Sequence, residues 1–262
     1  MSWKEYYSYT AEFLPITGGA GTIFTDVEVR MDTDANFEFN KTIYQPTTGR
    51  VRLRYRDDTA GRYLQKGSQD CRAIAGTSLY SMAPGGPTPP GFLPFIWSDP
   101  YYISAATTLT VQGAEFSGLS YNFRLTFHGA KIREGKAPWD KKFRAIAPYI
   151  YPINTSGTVS VAANSTISAS IATDNDAPFL CKGLVGARTG ACLITIKDGA
   201  RDRQWMNTAV HFDNLVGNAH YPHKLSAPRY VARGAVLAVT IQDLSGAANT
   251  VELNFLGVKL YE

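Results

Sequence analysis

The chain has 262 residues, 44% apolar, 12% aromatic and 18% charged, with a formal net charge of +4 and a pI near 8.9. That composition is globular, and the length suffices for two domains that each bury a core. Three cysteines are too few for a disulfide framework, no apolar run approaches the roughly 18 residues of a membrane span, and the mild basicity permits acidic partners without demanding them.

In chain order, the opening Met1 to Tyr7 lacks the charged-then-apolar pattern of a secretory leader. A chain made and kept in a cytosol, or leaving it by lysis, is therefore expected, with no membrane partner. Thr22 to Arg30 is β-branched and partly alternating, Phe37 and Phe39 alternate with polar neighbours, and Gly49 to Arg56 alternates without a break. These read as strands, as do Thr107 to Val111 and Asn122 to Phe127. Further on, Thr158 to Val161, Thr166 to Ile171, Cys192 to Ile196, Ala235 to Ile241 and Val251 to Phe255 have the same character. Turn formers such as Asp57-Asp58, Asp198-Gly199 and Ser245-Gly246 separate them. One short helical turn per half is the most that the pattern allows, and Arg203 to Asn207 is its expected place. Cys71, Cys181 and Cys192 are expected to be buried free thiols.

The second half repeats the first. At a shift of 128, Pro94 to Tyr102 lies over Pro222 to Tyr230, Leu109 and Val111 over Leu237 and Val239, and Ser117-Gly118 over Ser245-Gly246. Leu125, Phe127, Gly129 and Lys131 fall on Leu253, Phe255, Gly257 and Lys259. A unit of this size is a whole domain and not a solenoid repeat. Upstream, Thr33-Asp34 and Phe39 match Thr173-Asp174 and Phe179 at a shift of 140, and Arg56-Asp57 matches Lys197-Asp198 at 141. The first repeat must then carry about 13 extra residues, for which Ala83 to Gly91, rich in Pro and Gly, is the candidate.

The expected fold is all-β: two tandem antiparallel β-sandwich or jelly-roll-like domains related by internal duplication. Residues 1–145 form the first, with the 83–91 insertion and a basic linker at 133–148; residues 146–262 form the second. The repeated Ser-Gly reads as a hairpin turn, and Gly129 and Gly257 as a bulge or a close backbone approach.

Arg50, Arg52, Arg54 and Arg56 share one face of a strand, about 7 Å apart. Four like charges need partners, so an interface is expected: carboxylates across the sheet or on a neighbouring subunit. A solvated face and a nucleic-acid surface remain as alternatives. Pro84, Pro87, Pro89 and Pro90 of the insertion are a second interface candidate. Trp97, Tyr101 and Tyr102 could bind sugar, against the reading that they pack a loop on the sandwich edge. Asp32-x-Asp34 and Asp174-x-Asp176 open like calcium loops but lack the Gly and Glu that such loops need, so they read as Asx turns. His211, Asp213, His220 and His223 are metal-type ligands, read here as surface or interface residues. No catalytic residue, metal or cofactor is expected.

The Asp-rich turn with Phe39, the strand ending in Arg56-Asp57, the Pro94-Phe95…Pro100 segment and the closing Phe-x-Gly-x-Lys of both repeats resemble virion structural proteins of tailed bacteriophages. The second repeat departs at His223, where the first has Phe95. The resemblance implies a non-enzymatic head-decoration or head–tail collar component, a symmetric homo-oligomer docking on capsid, portal or tail proteins. Such a protein is made in the host cytoplasm and located in the virion. A small double-jelly-roll capsid protein and a carbohydrate-binding or adhesin module of a tail fibre are the other readings.

Overall fold

The computed structural model describes residues 2–17, 23–45, 50–79, 90–139, 143, 145–199, 203–218 and 221–261. The first repeat runs β1 (Ser2–Ile16), β2 (Thr25–Arg30), β3 (Asn36–Tyr44), β4 (Val51–Asp57), β5 (Arg62–Tyr63), β6 (Gln69–Asp70), the helical turn α1 (Cys71–Ile74), β7 (Gly76–Leu79), β8 (Pro90–Leu93), β9 (Phe95–Ile103), β10 (Thr108–Glu115) and β11 (Tyr121–Glu134). The second runs β12 (Ala145–Pro152), β13 (Thr158–Val161), β14 (Thr166–Ala172), β15 (Phe179–Arg188), β16 (Cys192–Asp198), β17 (Arg203–Gln204), β18 (Val210–His211), the turn α2 (Phe212–Leu215), β19 (His223–Val231), β20 (Val236–Asp243) and β21 (Asn249–Tyr261).

Each repeat is a jelly roll. In the first, one sheet has the order β1-β11-β3 with β9, β7 and β8 beyond β3, and the other has β2-β10-β4 with β5 and β6 on β4. In the second the orders are β12-β21-β15-β19 and β14-β20-β16, with β17 and β18 on β16. Successive long strands alternate between two sheets, the winding of a jelly roll. Registers repeat as well. Asp57 pairs with Leu109 as Asp198 pairs with Leu237, and Arg52 pairs with Asp70 as Leu193 pairs with His211.

Alternation builds the core. Val51, Leu53 and Tyr55 of β4 are fully buried while Arg52 stays in solvent. Cys192, Ile194 and Ile196 of β16 are their counterparts. Full burial of each large aliphatic side chain stabilises by about 1.5–3 kcal/mol. Phe127 packs against Phe39 and Tyr55 at 5.1 and 5.5 Å, and Phe255 against Trp205 at 5.8 Å.

The expected bulge is present in both repeats. Register shifts between His128 and Gly129 on β11, and between Cys181 and Gly183 on β15 opposite Gly257. A Cβ on Gly129 would lie 1.9 Å from the Glu38 carbonyl oxygen, and one on Gly257 would lie 2.2 Å from that of Leu180.

Several expectations change. The offset of 141 at Asp57 and Asp198 holds, but that at the Asp-x-Asp turn is 142 and not 140, with Asp32 and Phe37 standing where Asp174 and Phe179 stand; a two-residue slip keeps the same strand face and so escapes a pattern search. The Ser-Gly turns are crossovers, not hairpins, because β10 and β11 lie in different sheets, as do β20 and β21. The helical turns are Cys71–Ile74 and Phe212–Leu215; Arg203–Gln204 is strand instead. The 133–148 stretch ends in β12, and backbone contacts separate Ser8–Arg133 from Met1–Tyr7 with Glu134–Glu262, placing the division upstream of residue 145. The insertion falls between β7 and β8; its residues 80–89 lie outside the described ones. Strand β1 is a further strand beyond those expected: Tyr7, Tyr9, Ala11 and Phe13 alternate with Ser8, Thr10 and Glu12, yet both sides are buried from Glu5 to Ala11.

Candidate functional site

Arg52, Arg54 and Arg56 lie on β4, with Arg50 just before it; β4 is the strand after β10 in the sheet β2-β10-β4. The pleat puts the four guanidinium groups on the outer face, as alternation predicts. Only the end members have carboxylate partners among the described residues. Arg50 pairs with Asp70 at 3.1 Å, and Arg56 with Asp58 at 2.6 Å. Between them the arginines lie over aromatic rings. Arg50 and Arg52 sit 4.3 and 5.2 Å from the Phe116 centroid, and Arg54 sits 4.2 Å from Tyr63 and 5.9 Å from Phe24. Cation–π contacts at exposed sites contribute about 0.5–1 kcal/mol each and fix the long side chains in place. The expected intra-sheet carboxylate ladder is thus reduced to its two ends, and aromatic rings that sequence spacing does not connect to β4 take the middle. Among the described residues Arg54 Nε has no hydrogen-bond partner.

The duplicated Asp-x-Asp turns are held by lysine. Lys131, its side chain 5% exposed, lies 2.5 Å from Asp32 and 2.9 Å from Asp34, and Arg133 adds a 3.0 Å contact to Asp34. Lys259 lies 2.6 Å from Asp174 and 3.0 Å from Asp176. The backbone N–H of Asp32 donates to the Tyr9 hydroxyl, and that of Asp174 to the Tyr151 hydroxyl. Burial opposes ionisation of Asp34, but Lys131 and Arg133 prevail and hold its carboxyl below the ordinary value. Lys259 holds Asp174 and Asp176 down likewise. The Asx-turn reading stands in this form: the cation on each turn is the chain's own lysine, delivered by the closing Gly-x-Lys.

Trp97 and Tyr101 belong to β9, a strand and not the expected loop, and both turn inward. Trp97 meets Phe39 edge-on at 5.3 Å and donates to Thr42 Oγ1 at 3.4 Å. Tyr101 donates to Asp57 at 2.7 Å. Tyr102 is 50% exposed.

The described histidines lie in the core, with His211 Nδ1 3.7 Å from Asp213. His211 and His223 are buried, not at the surface as expected; His223 Nδ1 meets the Leu215 carbonyl, while Asp213 is taken by Arg188 at 2.7 Å. His220 lies outside the described residues. Cys71, Cys181 and Cys192 are free and buried. Burial pushes the Cys71 thiol up to about 11 and those of Cys181 and Cys192 up to about 12, which suppresses the thiolate. Pro84, Pro87 and Pro89 lie outside the described residues; Pro90 opens β8 at the sheet edge, where a missing N–H is tolerated.

Two copies of one winding, each with the same strand order, make this a duplicated jelly-roll protein. No protein-family model matches the chain, and no curated protein does. Solved structures give low-scoring likenesses at 10% identity. An archaeal virus protein with a triple jelly-roll fold and turret assembly covers 97% of this chain and 59% of that one, with a TM-score of 0.29. The major capsid protein P2 from bacteriophage PM2 covers 98% of both, with a TM-score of 0.25. A peptide-N(4)-(N-acetyl-β-D-glucosaminyl) asparagine amidase covers 97% and 96%, with a TM-score of 0.24. Likenesses this low assign neither family nor activity.

Proposed function

We propose that the chain is a non-enzymatic structural protein of a virus particle, a bacteriophage head-decoration or head–tail collar component. It acts by symmetric self-assembly and by docking on capsid, portal or tail proteins, and it resides in the virion after synthesis in the host cytoplasm. The observation that carries this reading is the arginine row: three cations on β4 and Arg50 just before it, present in the first jelly roll and reduced to Lys197 in the second. The duplicated fold does not require the row, so it serves something outside the fold. Charged rows of this kind set docking register and partner choice more than affinity.

The test is the double variant Arg52→Glu/Arg54→Glu. Val51, Leu53 and Tyr55 still supply the core face, so the thermal midpoint should stay within a few degrees of wild type. Incorporation into purified particles should fall severely. Wild-type occupancy by the double variant overturns the reading of the row.

The presence of two complete jelly rolls in one chain supports a second reading, a small double-jelly-roll capsid protein. Quantifying copies per purified particle separates the two, since a shell protein far outnumbers a collar.

A further inference from the structure

The outer face of the sheet β2-β10-β4 carries a charge pattern in two columns. Residues of β2 and β4 stand at matched levels because both pair with β10. Asp26 and Arg54 both sit opposite Gln112; Glu28 and Arg56 both sit opposite Thr110. Arg30 sits opposite Thr108, whose carbonyl accepts from the backbone N–H of Asp58. Read along the strands, the β2 column is Arg30, Glu28, Asp26 and the β4 column is Asp58, Arg56, Arg54. At every level the two columns have opposite signs. Each lies one strand spacing, about 4.8 Å, from β10.

Arg56 and Asp58 pair with each other at 2.6 Å, and Thr110 also donates to Asp58; the other four charges have no ionic partner among the described residues. Among the described residues Asp26 accepts only from the Gln112 amide, at 2.9 Å. Among the described residues Glu28 and Arg30 make no hydrogen bond or ion pair, and Arg54 has aromatic neighbours but no carboxylate. Asp26, Glu28, Arg30 and Asp58 are exposed.

We infer that this face is a self-association surface for a second copy of the chain, related by a two-fold axis parallel to the strands and passing over β10. Such an axis exchanges left and right but leaves levels unchanged. It therefore sets Asp26 over Arg54, Glu28 over Arg56 and Arg30 over Asp58 of the second copy, and each pair occurs twice, as an isologous interface requires. The other in-plane two-fold, perpendicular to the strands, stacks β4 on β4 and arginine on arginine, which costs free energy. The pattern thus selects one symmetry operator. This inference deepens the self-assembly part of the function proposed above and rests on that part alone.

The experiment uses the full chain at low ionic strength, with sedimentation velocity as the readout and thermal midpoints as the check on folding. Wild type should dimerise. Asp26→Arg should be monomeric at concentrations where wild type is dimeric, and so should Arg54→Asp, because each reversal opposes like charges at two places. An equimolar mixture of the two variants should recover a dimer, since both contacts across the mixed interface regain opposite signs. The double variant Asp26→Arg/Arg54→Asp should dimerise alone for the same reason. Wild type that stays monomeric overturns the inference, as does a mixture that fails to associate. A monomeric wild type that binds a single-stranded oligonucleotide, with a salt dependence lost in Arg54→Asp, overturns it in favour of a nucleic-acid face. Copy number in particles is measured separately, so a monomer found in particles removes this interface and leaves the virion reading standing.

Discussion

Lys259 Nζ, on the closing strand β21, lies 2.6 Å from the carboxylate of Asp174 in the turn that leads into β15. The same relationship joins Lys131 to Asp32 in the first jelly roll, so the duplication preserves an interaction between two residues distant in sequence. Replacing either lysine by Met should destabilise its repeat by about 1 kcal/mol, a buried charged hydrogen bond discounted because the aspartates are half exposed. Urea midpoints of the two variants check this. Because lysine already occupies the turn, millimolar calcium should leave the wild-type midpoint unchanged.

Gly129→Ala and Gly257→Ala should be among the most damaging single methyl additions. The new Cβ meets a backbone carbonyl oxygen at 1.9 and 2.2 Å, and a backbone group cannot rotate away as a side chain would. A loss of about 3 kcal/mol or more is expected for each. Urea denaturation measures it.

Acid should unfold the protein through its paired carboxylates. Hydrogen bonds from Ser245 and from the Asn164 backbone hold Asp243 down to about 2, and Arg72 holds Asp70 well below the ordinary range. A depressed folded pKa contributes stability above the unfolded value, near 4, that is lost as pH falls through the folded value. The thermal midpoint should therefore hold near neutrality and drop between about pH 4 and pH 2. Asp243→Asn should lower the neutral midpoint and flatten the acid limb. On the alkaline side the sign is opposite: Lys259 is raised despite burial by its bonds to Asp174 and Asp176, so its contribution fades only as pH climbs past the ordinary lysine range.

Trp97→Ala should cost about 2–3 kcal/mol, less than for a fully buried tryptophan because this ring is only half buried. Tyr102→Ala, at a half-exposed position, should stay within about 0.5 kcal/mol of wild type. Equal effects would mean that the inward and outward sides of β9 are not distinguished by packing.

The duplication, the all-β class, the outward arginines of β4 and the Gly129 and Gly257 bulges were legible in the residues alone. Each is written in local chemistry: identity at a fixed offset, alternation with period two, a glycine where a Cβ has no room. The burial of both sides of β1 from Glu5 to Ala11 was not legible, because Ser8 and Thr10 alternate with Tyr7, Tyr9 and Ala11 as on a half-exposed strand. Nor was the crossover at Ser117-Gly118: a turn sequence specifies the bend, while the hydrogen-bond partners of β10 and β11 decide which sheet each strand joins. Lys131 and Lys259 showed only as matched positions of the repeat, and the histidines at 211 and 223 read as surface or interface residues. Only the tertiary packing buries them, by bringing together groups far apart in the chain. For the same reason, the arginine row was visible in the sequence but its aromatic neighbours Phe24, Tyr63 and Phe116, and the acidic column of β2 beside it, depend on how distant strands align across β10.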